Sequence, residues 1–121
     1  MTIDTDVVAR IDATMLPRLE RHHVRLLAHC LESFRSMGVS KEGDLPDAAC
    51  RRRWCEQQPV VAEDPAFLRS LLLQLQTAAR QLSELAAALD KAPLQLTVED
   101  LITDAEARCH HRLQSESADD A

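Results

Sequence analysis

The amino-acid sequence predicts an all-α fold, a four-helix bundle-like arrangement with one long central amphipathic helix and a first helix kinked at Pro17. Three observations carry that prediction. The 121 residues include two glycines, no tyrosine, two phenylalanines and one tryptophan, which leaves a core of leucine, alanine, valine, isoleucine and methionine, material that favours helices. Leu68, Leu75, Leu82 and Leu89 recur seven residues apart, the period of a helical stripe. Acid-proline and Thr-x-x-Asp start signals precede two of the apolar segments. No stretch has the dense β-branched and aromatic alternation between glycine turns that strands require.

The elements follow in order. Val8, Ile11, Met15, Leu19, Leu26, Cys30 and Phe34 recur at helical spacing and predict a helix over residues 5–37, ended by Gly38 as a C′ residue. Pro17 lies inside this pattern, where it deletes a backbone donor and crowds the preceding turn. A kink is expected there and not a break, because Leu16 is a poor N-cap for a fresh helix. Residues 39–45 read as a loop, Pro46 opens a short helix over 46–57, and Pro59 closes it. Asp64 and Pro65, an N-cap acid and a proline at the first helical position, open a helix over 64–90. Thr97, with Glu99 and Asp100 behind it, caps a last helix over 97–114. The tail 115–121 is polar and acidic and is expected to be disordered. Residues 1–114 are read as one helical domain, since 121 residues can bury one core.

The heptad leucines Leu68, Leu75, Leu82 and Leu89 are expected to form either the core of the bundle or a self-association stripe. Leu71 or Leu72, Ala78 or Ala79, and Leu85 or Ala86 fill the intervening seam positions. Apolar residues also spread sideways, through Phe67, Leu73, Ala87 and Ala88. The other three helices offer little to cover so wide a face, so a homodimer is expected.

Net charge is −6, and it is unevenly placed. Residues 1–60 hold nine basic and nine acidic side chains, residues 61–121 five and eleven. A polyanion is repelled by that balance, so nucleic acid is not the expected partner. The first ten residues carry Asp4 and Asp6 and no basic flank leading into an apolar run, which predicts a cytoplasmic chain without a secretory signal. No apolar run approaches the roughly 20 residues of a membrane span. The four cysteines, Cys30, Cys50, Cys55 and Cys109, are expected as free thiols.

Histidines 22, 23, 29, 110 and 111 raise the question of a metal together with those cysteines. Two ligands on one helix serve one metal when they are three or four apart, and no His or Cys pair here has that separation. Cys50 and Cys55 are five apart, about 140° around a helix. Only a site assembled between helices, from Cys30 or His23 with Cys109 and His110, is left open by spacing. The expectation is no metal and no cofactor, with Cys30 and Cys109 as small hydrophobes.

Catalytic patterns are missing: there is no glycine-rich phosphate loop and no nucleophile elbow. Asp100 and Asp104 share a helix face, as in helical magnesium-binding hydrolases, but the third helix supplies only Glu84 and Asp90 opposite them. Acids favouring the positive end of a helix dipole account for the cluster. Residues 81–100 resemble a helix-turn-helix in their Glu-Leu-Ala core and later Leu-Thr; Asp90 stands where the turn glycine belongs, and Pro93 enters the would-be recognition helix.

The reading is therefore a helical protein-interaction module, an adaptor, assembly factor or regulator with no chemistry of its own. Its alternatives are a DNA-binding regulator using residues 81–100 and a zinc- or thiol-dependent protein. Arg51, Arg52, Arg53 and Trp54 are the expected partner contact, since Arg and Trp are enriched at binding hot spots.

Overall fold

The computed structural model describes residues 5–37 and 43–119. All regular structure among them is helical: α1 (Thr5–Asp12), α2 (Arg18–Ser36), α3 (Ala48–Glu56), α4 (Pro59–Ala62), α5 (Pro65–Ala88), a 3-10 turn (Pro93–Gln95) and α6 (Val98–Asp119). The predicted C′ residue Gly38 lies outside the described residues, as do 120 and 121. Cα packing divides the described residues into two compact units, one within 30–96 and the other of residues 5–29 with 97–119.

The unit of residues 30–96 is organised by α5, which packs against α3, α4 and the 3-10 turn. Asp64 caps α5 as the sequence predicts, its carboxylate accepting from the amides of Ala66 and Phe67 at 3.1 Å each. Asp47 caps α3 in the same way, through the Cys50 amide at 2.8 Å, so Pro46 stands one residue before the cap and not inside the helix. Pro59 does more than close α3: it is the first residue of the one-turn helix α4. The buried side of α5 is Leu75, Ala78, Ala79, Leu82 and Ala86. Leu68 is half-buried, and Leu89, the C-cap, is 42% exposed, which places it outside the buried core.

At its C-terminus α5 ends in a Schellman turn. The Lys91 amide donates to the Ala86 carbonyl and the Asp90 amide to that of Ala87, with Asp90 at φ 55°. Asp90 holds the left-handed conformation at some cost that glycine avoids. Asp90→Gly is expected to raise stability by about 0.5–1 kcal/mol, seen as a higher urea midpoint with unchanged slope. The 3-10 turn that follows is gripped from two sides. Gly43, at φ 83°, accepts from the Leu94 amide at 2.8 Å and lies so close that a side chain there would meet the Ala92 Cβ at 2.8 Å. Arg35 donates from Nε and Nη2 to the Leu94 carbonyl, at 3.2 and 3.0 Å, and from Nη2 to that of Leu96 at 2.5 Å.

In the other unit, Ile11, Leu16, Val24, Leu27, Ala28, Leu101, Ile102 and Ala105 are buried. Here the first predicted helix is corrected: it breaks at Pro17 into α1 and α2, and does not merely kink. The Thr14 hydroxyl and amide both donate to the Ile11 carbonyl, tying off α1, and the Pro17 carbonyl accepts from the Arg21 amide to start α2. A side-chain cap is not needed because Leu16, at 7% exposure, is held by packing. The break changes which residues are buried. Val24, Leu27, Leu31 and Phe34 form the buried face of α2, while Met15 and Leu19 are 97% and 82% exposed. Thr97 and Asp100 form the predicted cap of α6, the Thr97 amide donating to Asp100 Oδ2 at 2.9 Å and the Asp100 amide to Thr97 Oγ1 at 3.2 Å. Helix α6 runs to Asp119, so the tail expected to be disordered is helical up to that residue.

Candidate functional site

Two surfaces carry side chains that could hold another protein, one in each unit. On α3, the arginines expected as a partner contact are arranged by the helix itself. Arg52 reaches its own helix, Nε to Glu56 Oε1 at 2.8 Å, and Arg51 donates to the Pro46 carbonyl at 3.2 Å. Neither bond goes to the acid-rich second half of the chain; both are local contacts. Arg53 is exposed and Trp54 half-buried, its carbonyl accepting from Gln58 Nε2. Beside them lies a shallow depression of about 360 Å³, lined by Ala48, Ala49, Arg51 and Arg52 of α3 and by Leu72 and Gln76 of α5.

The second surface was not legible as a site in the sequence. Met15, Leu16 and Pro17, in the break between α1 and α2, face Glu106, Cys109, His110, Arg112 and Leu113 of α6 across a groove of about 450 Å³. Glu106, Cys109, His110 and Leu113 fall at i, i+3, i+4 and i+7, one face of α6. Leu113 is 62% exposed, so this apolar surface is open to water at both walls. The available signal was the register of α2. A face through Val24, Leu27, Leu31 and Phe34 is centred about 100° away from Leu19.

Ion pairs fix the walls of that unit. Arg10 meets Glu99 with two parallel bonds, at 2.7 and 2.9 Å, which hold the guanidinium charged. Glu20 extends the buried face of α2 and receives Arg112 Nη2 at 2.9 Å, with Arg108 at 4.0 Å. The Arg112 hydrogen bond, opposed by burial and helped by the charge of Arg108, pulls the Glu20 carboxyl below the usual carboxylate range. Its contribution to stability is therefore present above that range and lost as pH falls through the lowered value. Acid titration of the fold should show this, and Glu20→Gln is expected to flatten the acid limb below about pH 4.5; an unchanged limb would remove Glu20 from the account.

The cysteines separate by burial. Cys30, Cys50 and Cys55 are 3%, 6% and 0% exposed, and Cys109 is half-buried at the groove. Burial pushes the Cys30 thiol up against a hydrogen bond with Gln74, and pushes Cys55 up against the charge of Arg51. One thiol per chain, Cys109, is expected to react quickly with a disulfide reagent at neutral pH, and four after denaturation; two fast thiols would contradict this packing. All four are free, and among the described residues no three His, Cys, Asp or Glu side chains converge on a point that could hold a metal. No helix among them is long and apolar enough to cross a membrane.

The resemblance of residues 81–100 to a helix-turn-helix does not extend to its geometry. Residues 89–97 separate α5 from α6, and they hold a Schellman turn and a 3-10 turn, whereas the motif joins its helices by three or four residues. No curated protein and no solved structure matches the chain. A family model described as NDH complex assembly factor CRR9 matches residues 3–112, a span that takes in α1 to α5 and most of α6. By that match, the chain belongs to the CRR9 family of NDH complex assembly factors.

Proposed function

We propose that this chain is an assembly factor that holds a subunit of an NDH complex by protein–protein contact while the complex is built, and that it performs no reaction itself. The match of residues 3–112 to a family of assembly factors carries the reading. The surface agrees with it. Met15 and Leu19 stand almost wholly in water, where a chain that worked alone would gain nothing from two large apolar side chains side by side. The groove they flank is the first candidate for the contact, and the Arg51–Trp54 face of α3 the second.

Two measurements test it. Cells lacking the protein should still make the individual NDH subunits but accumulate less assembled complex on native gels. The tagged full chain should also copurify with at least one NDH subunit before assembly is complete. Normal complex in its absence would overturn the proposal. Arg52→Ala and Trp54→Ala leaving every subunit bound would remove the α3 face from it. Exposed Phe67 and Leu73 on α5, 48% and 64% in water, favour a second copy of the chain as their cover. Light scattering should then give twice the chain mass, and a monomer at high concentration would exclude that arrangement.

A further inference from the structure

We infer that the groove between the α1–α2 break and α6 receives an amphipathic helix of the partner protein whose apolar side chains are flanked by acidic ones, an inference that rests on the assembly-factor reading above. The shape selects a helix. A partner strand would need an open sheet edge, and the described residues contain no strand; a polyproline segment would need an aromatic-lined groove, and no aromatic residue lines this one. What remains among the common modes is a helix laid into an apolar groove, with side chains at i, i+3 or i+4, and i+7 as anchors. Met15, Pro17, Cys109 and Leu113 of the lining offer the apolar contacts for such anchors, with exposed Leu19 two residues beyond Pro17, in a space within the size range of ligand-binding clefts.

Charge selects the flanks. The chain carries −6 overall, yet residues 15–25 hold Arg18, Arg21 and Arg25 with Glu20 as their one acid; Arg25 is answered by Asp12 at 3.5 Å, so the positive charge beside the groove rests on Arg18 and Arg21. Glu20 spends its charge on Arg112 and Arg108. Glu106, the acid in the groove lining, lies within the field of Arg10. Arg18 is exposed and sits between Pro17 and Leu19, directly beside the apolar contacts. An acid-flanked helix gains from this rim, and a basic one is repelled by it, which gives orientation and selectivity beyond what the apolar contacts supply.

The test uses the full chain, expressed with a benzophenone-bearing residue in place of Met15 and irradiated in the cells it comes from. The expected crosslink is to an NDH subunit, in a segment apolar at i, i+3 or i+4, and i+7 and richer in Asp and Glu than in Lys and Arg. A crosslink to a basic or extended segment, to another copy of the chain, or to the chain's own residues 114–121 would overturn the inference. Leu19→Glu and Arg18→Glu are expected to weaken copurification of that subunit at least about tenfold. Both positions are exposed, so the variants should melt within a few degrees of the parent. If a subunit copurifies equally with parent and variants, the groove is wrong and the assembly role stands; if none copurifies with the parent, the assembly role itself fails.

Discussion

Leu82→Ala is expected to cost about 2–5 kcal/mol, because the side chain is fully buried on the inner face of α5 and its removal leaves a cavity that the neighbours cannot fill. The comparison that gives this value meaning is Leu89→Ala. Leu89 stands seven residues further along the same leucine series but is 42% exposed at the C-cap, and its truncation should cost under about 1 kcal/mol. Urea unfolding of the two variants separates a core stripe from a sequence period. Equal losses would mean that the period itself, continued past the end of the helix, is what is buried.

Arg35→Met is expected to cost about 2 kcal/mol. Methionine keeps the apolar stem of the arginine and removes the donors to the Leu94 and Leu96 carbonyls. Arg35 also meets Glu32 at 2.6 Å, but that pair is more than a third exposed at both ends and contributes little. Glu32→Gln is therefore expected to change stability by less than about 0.5 kcal/mol. Should the two substitutions cost the same, the grip on the 3-10 turn would be unimportant and the ion pair would be the term that matters. Hydrogen exchange at the Gln95 and Leu96 amides, which bond within the turn, gives a local readout of the same loss.

Helix identity in this chain is written in short-range signals, and those were legible. Asp64-Pro65 fixes the start of α5 and Thr97 with Asp100 that of α6, because a side-chain oxygen two or three residues from an orphan amide acts regardless of the rest of the fold. Of the expected partner contact, Arg52 and Arg53 are exposed and Arg51 and Trp54 half-buried, and Arg51 and Arg52 are tied to Pro46 and Glu56 nearby in the chain. What sequence reasoning missed lies around Pro17. A proline inside an apolar repeat is compatible with a kink or with a break, and the decision is made by packing: Leu16 goes in, and Met15 and Leu19 go out. A continuous register through Ile11, Met15 and Leu19 would put Met15 and Leu19 on the buried face with Ile11, and the break turns them out to water. The connection after α5 shows what composition hides: Asp90, not glycine, holds the left-handed conformation that the Schellman turn needs.

No polar or charged side chain is buried among the described residues. Apart from the hydrogen bond of the buried Cys30 thiol with Gln74, such an interior specifies its structure by volume and pattern. Over evolutionary time Leu75, Leu82, Leu101 and Ile102 are thus free to drift among apolar residues of similar size, each exchange costing less than about 1.5 kcal/mol. The helix starts are under a different constraint. Asp47, Asp64 and Thr97 each answer backbone amides that no apolar residue can answer, so their substitution is confined to the few short side chains that carry an accepting oxygen. Descendants of this sequence could diverge through their leucines until the resemblance is faint and still share the punctuation of their helices.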